Sequence, residues 1–402
     1  MIIPFELFRE LSIKTPSRIV LFVIDGLGGL PHPSTGKTEL ETARTPNLDA
    51  LAASSVCGVT DPVRPGITPG SGPAHLSLFG YDPLQYLVGR GALSAVGVGF
   101  HLQPGDVAAR VNFATVDEQG RVTDRRAGRI STETNRKLVE MLRRIKLPGV
   151  ETFVETESGH RAVVIFRGPE LSDELTDSDP QVVGQPPKPV EALTPAAQRT
   201  AQLANEFLAQ AAQVLKDQHP ANMILMRGFA KPPHLPSMSE LYKLTPAAIA
   251  VYPMYRGLAK LVGMELLDAG NTLADEIHAL RDNFERYDFF FVHVKASDTA
   301  GEDGDFDRKV AVMEDIDQHI PALLDLKPDV LVVTGDHRTP SVLRLHSWHP
   351  VPFALHAQYA VPDRLSAFSE RELARGSLGR FPAMEAMGLI MGYAQKLARY
   401  GA

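Results

Sequence analysis

Residues 17–29 read Ser17-Arg18-Ile19-Val20-Leu21-Phe22-Val23-Ile24-Asp25-Gly26-Leu27-Gly28-Gly29. The unbroken apolar run, rich in β-branched residues, has the length of a strand buried on both faces. The glycines after Asp25 make a sharp exit loop. Two other stretches share this form. Asp288–Val294 (DFFFVHV) ends near Lys295-Ala296-Ser297-Asp298, and Asp329–Thr334 (DVLVVT) ends at Gly335-Asp336-His337. Three buried strands thus each deliver an acid just past their C-terminal ends. In open α/β sheets that is where ligands bind.

Helical patterns alternate with these strands. Thr45-Pro46-Asn47-Leu48-Asp49 opens one, with Thr45 as N-cap and Pro46 in the first turn. After Gly304, residues Phe306, Val310, Met313, Ile316, Ile320 and Leu323 recur at steps of three and four and form one apolar face. Pro321 is expected to kink or shorten that helix. The alternation implies an α/β fold with a mostly parallel sheet.

The middle of the chain reads differently. Asp106–Thr123 suggests a hairpin around Glu118-Gln119-Gly120, and Ala196–Leu215 an Ala/Gln-rich helix. Glu174–Pro189, rich in Asp, Pro and Gly, reads as a loop or surface excursion, and Lys231–Pro236 as a hinge or loop. Residues 106–240 therefore form a smaller inserted α+β domain. Residues 1–105 and 241–402 together form one discontinuous core domain, because the strand-end acids lie on both sides of the insertion.

Composition sets outer bounds. The chain has 402 residues, 44% apolar and 22% charged, enough for a large core. A net charge of −7 argues against a nucleic-acid or anionic-membrane partner. The start, MIIPFELFRELSIK, lacks the basic segment and long apolar stretch of a signal peptide, and no apolar run reaches membrane-spanning length. The single cysteine, Cys57, cannot form an intramolecular disulfide and reads as core packing. A soluble cytoplasmic protein is the expectation; the oligomeric state stays open, a homo-oligomer included.

The candidate chemistry gathers at the strand ends. Asp298 with Glu302, Asp336-His337 and His346 combine carboxylate and imidazole, which suits Zn, Mn and similar ions. Singly, each has a plainer reading: an Asp-His pair is common in loops, and His346 alone would be a hydrogen-bonded loop histidine. Jointly, carboxylates crowded at one sheet edge would repel, and a cation removes that cost. Thr68-Pro69-Gly70-Ser71-Gly72-Pro73-Ala74-His75 then sets a glycine-flanked serine at a helix start. The field there favours anions. By itself Ser71 is an N-cap; beside a metal it is a nucleophile. His75 either positions that loop or is a satisfied structural histidine. Trp348 reads as a packed aromatic. Gly26-Leu27-Gly28-Gly29 lacks the spacing of a dinucleotide loop.

In this order, VIDGLGG, TPNLDALA, GSGPAHLSLFGYDP, KASDTAG, TGDHRTP and HSWHPVPF resemble the alkaline phosphatase superfamily. Within it the chain is similar to the archaeal-type cofactor-independent phosphoglycerate mutases. GRGALSAVGVG, NFATVDEQGRVTDRRAGR, GHRAVVIFRG and YPMYRGLAKLVGM carry that narrower likeness. The resemblance implies an alkaline phosphatase-like core, its sheet sandwiched by helices. It implies two divalent ions (Mn, Zn, Co or Mg) and no 2,3-bisphosphoglycerate cofactor. Asp25, Ser71, Asp336 and His337 match the ligands of one ion, with Ser71 as the phosphorylated nucleophile; Asp298 and His346 match ligands of the other. The inserted domain would hold the glycerate of a phosphoglycerate substrate. Arg90, Arg125, Arg126, Arg129, His160, Arg161, Arg227 and Arg256 are its candidate contacts, since arginine forks suit phosphate and carboxylate.

Two positions depart from the family pattern. Glu302 stands where a histidine is usual, and His349 where an aspartate is usual. A glutamate ligand shifts preference toward harder ions, and His349 is expected near Glu302, partly balancing its charge. Three readings follow. The first is a mutase interconverting 3-phosphoglycerate and 2-phosphoglycerate through phosphoserine. The second is a phosphomonoester or phosphonate hydrolase, and the third a metal-poor, non-catalytic binding relative.

Overall fold

The structure is a computed structural model that describes residues 5–86 and 88–401; the first four residues of the MIIPFELFRELSIK start lie outside the described residues. In chain order its strands are β1 (Ile19–Ile24), β2 (Val56–Asp61), β3 (Val107–Val116), β4 (Val122–Asp124), β5 (Glu151–Ser158), β6 (Arg161–Arg167) and β7 (Met223–Ala230). They continue with β8 (Pro246–Ala250), β9 (Glu265–Leu266), β10 (Phe289–Val294), β11 (Val330–Thr334), β12 (Val351–Ala357) and β13 (Gly379–Pro382). The three apolar runs of the sequence are β1, β10 and β11. The chain divides into two compact units: Val88–His234, and the segments on either side of it.

The flanking segments build an eight-stranded sheet in the order β13-β2-β12-β11-β1-β10-β8-β9. Strand β12 runs antiparallel to both neighbours and the other pairs are parallel. Every residue of β1 is fully buried, as a strand covered on both faces must be. Val20, Phe22 and Ile24 face a core shared with Leu280 of helix Leu273–Asn283 and with Ile316 and Ile320 of helix Phe306–Leu324. On the other face Phe291 packs edge-on against Phe79, 5.0 Å between centroids, at the end of helix Ser71–Leu78.

Register positions the chemistry. Ile24 pairs with Val294, and Val23 with Thr334. Asp25, Lys295 and Gly335-Asp336 therefore leave the sheet side by side at one edge.

Helix Phe306–Leu324 continues through Pro321 instead of ending there. Proline removes the N–H that would bond the carbonyl of residue 317. That carbonyl is taken instead by Asn47 Nδ2 at 3.1 Å. The same pairing corrects the Thr45 expectation: its side chain makes no capping bond to helix Pro46–Ala53. The carboxylate of buried Asp317 caps in its place, accepting from Asn47 N at 3.3 Å and Leu48 N at 2.7 Å.

The other unit is an antiparallel sheet of order β4-β3-β6-β5, with β7 on the other side of β3. The expected hairpin is β3–β4. Helices Thr132–Leu142 and Gln198–Leu215 bury Leu138, Leu142 and Phe207 against Val111, Phe113 and Phe166. The unit begins at Val88, upstream of the expected residue 106, because helix Arg90–Gly97 belongs to it. Gly91 permits that packing: a Cβ there would lie 2.0 Å from Ala108 O.

Asp317→Ala should therefore destabilise the chain by about 1–2 kcal/mol, the usual scale of a lost helix cap. Urea denaturation of the two proteins measures it, and an unchanged midpoint would show the cap to be idle.

Candidate functional site

Ser71 is the first residue of its helix, after Gly70 in extended conformation. Its Oγ lies 3.1 Å from His337 Nε2. Around that nitrogen stand Asp336 Oδ2 at 3.1 Å and Asp25 Oδ1 at 3.5 Å. Both carboxylate oxygens are buried without a hydrogen-bond partner. Asp25, Asp336 and His337 are all fully buried, and one ligand atom from each falls within 4.8 Å of the others.

Hydrogen bonding sets the His337 tautomer. The Thr339 hydroxyl donates to Asp298, so it can only accept at its other contact, His337 Nδ1 at 3.1 Å. His337 Nδ1 therefore carries the proton, and the Nε2 lone pair faces Ser71 and the carboxylates. His346 is set likewise: Nδ1 donates to Pro69 O at 3.0 Å. Its Nε2 looks toward Asp298 Oδ1 at 3.6 Å and Glu302 Oε1 at 3.9 Å. Asp298, His337 and His346 form a second potential metal-holding group, and the two imidazoles stack at 3.6 Å between centroids. Lone pairs and orphaned carboxylate oxygens converging without donors are what a divalent cation satisfies, so the residues fit one.

The charges push one another apart. Burial alone would raise Asp25, but Lys295, His293 and His337 hold it well below the carboxylate range. Burial and the charges of Asp25 and Asp298 drive Asp336 well above it. Burial holds His337 well below its ordinary range against the pull of Asp25.

Several site residues escaped the sequence reading. Lys295 Nζ donates to Asp25 Oδ2 at 3.0 Å and also to Asp298. Tyr255 donates its hydroxyl to Asp25, and its ring stacks on His293 at 3.7 Å. His75, already a candidate from sequence, donates Nδ1 to Ser71 O at 2.8 Å and lies 3.4 Å from Asp336, contacts that support the Ser71 turn. Lys309 is fully buried and gives its ammonium protons to Gly26 O, Gly28 O and Thr339 O at 2.9, 2.8 and 2.7 Å. It ties the Asp25 loop to the loop that follows His337. A buried lysine next to a glycine-rich loop has no local signature; only its contacts identify it.

In the inserted unit a cavity of about 160 Å³ is lined by Arg90, Arg110, Asn112, Arg125, Arg126, His160, Arg161 and Arg227. The buried Nε atoms of Arg110 and Arg227 make no hydrogen bond there, though they lie 3.5 Å from Glu157 and 3.7 Å from Asp177 respectively. Burial and the neighbouring Arg110 and Arg227 lower Arg90 from its ordinary value. Burial and the adjacent arginines push His160 down to about 4, so it stays neutral. Such a cavity calls for an anion.

Residues 52–222 match the family model for 2,3-bisphosphoglycerate-independent phosphoglycerate mutase. A Thermus thermophilus protein named "Probable 2,3-bisphosphoglycerate-independent phosphoglycerate mutase" is 53% identical over 99% of each chain. A Deinococcus radiodurans protein of the same name is 51% identical over 98% of each. The chain belongs to the 2,3-bisphosphoglycerate-independent phosphoglycerate mutase family. That is a family of isomerases. Its fold matches the solved cofactor-independent phosphoglycerate mutase of Thermoplasma acidophilum, with 32% identity and a TM-score of 0.71 over 94% of this chain and all of that one. A solved Pyrococcus horikoshii protein superposes with a TM-score of 0.84 at 28% identity, over 97% of this chain and all of the other.

Against this family the remaining expectations sort as follows. Arg90, Arg125, Arg126, His160, Arg161 and Arg227 share the cavity, joined by Arg110 and Asn112, which sequence reasoning passed over. Arg129 is exposed and outside the lining; its charge only helps to depress His160. Arg256 does not belong to the cavity: it lies in the core unit on helix Pro253–Leu261 and bonds Ala250 O at 3.3 Å and exposed Asp268 at 3.1 Å. His349 contacts Ser347 Oγ at 3.1 Å and stacks on Trp348, and the charge that acts on it is Arg338, not Glu302. Trp348 is half exposed, not packed. Cys57 is buried, and burial raises its thiol to about 12, an unreactive value. Among the described residues no helix is long and apolar enough to cross a membrane.

Lys309→Met should cost about 3 kcal/mol or more, because it strands three buried carbonyls; a calorimetric melt unchanged from wild type would refute the clamp. His160 gives a pH test. Its folded value, about 4, lies below the ordinary 6.5. Above 6.5 neither state binds the proton; between 6.5 and 4 the unfolded chain binds more, so stability falls as pH falls through that window. Titration of the ring by NMR should give a midpoint near 4, raised by an anion in the cavity. A midpoint near 6.5 would contradict this.

Proposed function

We propose that the chain interconverts 3-phosphoglycerate and 2-phosphoglycerate by way of a phosphoserine at Ser71. The observation that carries this reading is Ser71 Oγ at a helix N-terminus, 3.1 Å from the unprotonated Nε2 of His337, among buried and unpaired carboxylate oxygens. Asp25, Asp336, His337 and Ser71 would hold one divalent ion; Asp298, His346 and Glu302 would hold the other. Bound there, such ions (Mn, Zn, Co or Mg) lower the pKa of a hydroxyl and neutralise phosphoryl oxygens.

The chain's own groups supply the rest. Thr339 and Pro69 fix the imidazole tautomers that leave both Nε2 atoms free of protons. His75 holds the Ser71 carbonyl and with it the first turn of the helix. The amides of Ser71 and Gly72, which open that turn at the positive end of the helix dipole, favour a phosphoryl group on Ser71. The arginine cavity would hold the carboxylate of the glycerate while its hydroxyls exchange. On return, the alternative hydroxyl takes the phosphoryl group and Ser71 recovers its proton. A hydrolase would give that step to water; a cavity lined by six arginines, suited to hold an organic anion, favours the mutase. Glu302, more than half exposed and 3.9 Å from His346 Nε2, would be a further ligand of the second ion. The relatives' names support a reaction that needs no 2,3-bisphosphoglycerate. A cytoplasmic, glycolytic or gluconeogenic setting follows from the proposed substrate.

Ser71→Ala should lower kcat on the order of 10⁴-fold or more while phosphoglycerate still binds. An enolase-coupled assay measures interconversion, and a phosphate assay run beside it measures hydrolysis. Full activity in the variant would refute the serine mechanism, and free phosphate without the isomer would make the chain a hydrolase.

A further inference from the structure

The stretch Glu174–Pro189 reads in sequence as a polar excursion, yet part of it is fixed along the edge of β7. Ser178 N donates to Met226 O at 2.9 Å, and Met226 N donates back to Ser178 Oγ at 2.7 Å. Gly228 N donates to Asp177 Oδ1 at 2.7 Å, and Lys231 N to Asp173 Oδ2 at 2.9 Å. These bonds register the segment against the strand that carries Arg227. Ser178 is fully buried and Asp179 is 2% exposed.

A carboxylate that deeply buried needs partners. Asp179 finds them in the arginine cavity. Oδ1 accepts Arg125 Nε at 2.9 Å, and Oδ2 accepts Arg125 Nη2 at 2.6 Å. Oδ2 also lies 3.3 Å from Arg227 Nη1. A backbone bond from Gln181 N at 2.8 Å holds the same group from behind. Burial would raise its pKa, but Arg125 and this bond keep it below the ordinary carboxylate value, so it is charged. One edge of the Arg125 fork is thereby occupied, and the other edge is left for the cavity. Two guanidinium groups are held at a fixed separation by a single carboxylate. Such a pair grips a planar or tetrahedral group with two or three equivalent oxygens.

We infer that Asp179 is a positioning residue for substrate: it sets Arg125 and Arg227 as a preformed clamp for the carboxylate of the glycerate. The inference rests on the mutase reading proposed above. Asp179 does not line the cavity and acts only through the two arginines. Without it Arg125 regains rotamer freedom and Arg227 keeps only Asp177, 3.7 Å away, so binding has to order the pair anew. The clamp grips the part of the substrate that does not react, so its loss weakens substrate and transition state alike.

Asp179→Asn keeps the shape and one acceptor and removes the charge. In the full chain, KM for both 3-phosphoglycerate and 2-phosphoglycerate should rise about tenfold while kcat stays within about twofold. Arg125→Lys keeps the charge and loses the fork; it should raise KM to a similar extent. The double variant should be no worse than the poorer single one, because the two changes break one unit. An unchanged KM in a folded Asp179→Asn protein, a fall confined to kcat, or additive losses in the double variant would each overturn the inference. If Asp179→Asn does not fold, as a thermal melt would show, Arg125→Lys with unchanged KM overturns it instead. Calorimetric binding of 3-phosphoglycerate separates the two levels of the argument. An inactive wild type that still binds it, with weaker binding in Asp179→Asn, would remove the mutase reading and keep the clamp.

Discussion

Three carboxylates, Asp25, Asp298 and Asp336, are buried within reach of one another at the end of a parallel sheet, and the rest of the core unit answers to that crowding. Like charges in a dry site cannot all ionise freely. The site divides them, with Asp25 held charged and Asp336 driven toward its protonated form. Lys295 stands between Asp25 and Asp298, Tyr255 donates to Asp25, and Thr339 donates to Asp298. These contacts offset the repulsion only in part, since Asp25 Oδ1 and Asp336 Oδ2 keep no partner. The remaining imbalance is one that a bound cation would relieve.

Holding such a cluster needs a rigid frame. The pairing of β1 with β10 and β11 fixes the height of the strand ends, and the apolar strands leave no room for a slip, because a one-residue shift would turn every side chain over. Beyond the sheet, Lys309 performs the same task for the loops. Its three carbonyl acceptors come from two different loops, so its ammonium sets their spacing. Burial pushes that amine down to about 8, a cost that is tolerated because the charge is fully hydrogen-bonded. The Ser71 helix joins the frame through His75, which touches both the serine carbonyl and Asp336.

What could be read from sequence follows from this division. Asp25, Asp298 and Asp336-His337 were legible because each follows an apolar run that can only be a buried strand. Ser71 was legible because glycine and proline mark a helix start. Lys295 stood in plain view in the same loop as Asp298, but a lone lysine carries no local signal. Lys309, Asp317 and Tyr255 act across more than 200 residues of chain, and no spacing rule reaches that far. Arg256 lies in the core unit and does not line the arginine cavity, because a basic residue in a matching motif says nothing of which unit its side chain serves. The helix runs on to Leu324 past Pro321, because Asn47 supplies the donor that the freed carbonyl needs.

The inserted unit presents the reverse electrostatic problem. Six arginines line a cavity with a neutral histidine, while Asp179 and Glu157 stand behind them: Asp179 bridges Arg125 and Arg227, and Glu157 lies 3.5 Å from Arg110. The carboxylates there orient cations without cancelling them, since six arginines outnumber the acids beside them and the buried Nε atoms of Arg110 and Arg227 make no hydrogen bond. In the core unit a lysine plays the corresponding part among acids. Each unit thus carries fixed counter-charges that set geometry and leaves a surplus of one sign. A surplus of acid selects metal ions, and a surplus of guanidinium selects an organic anion.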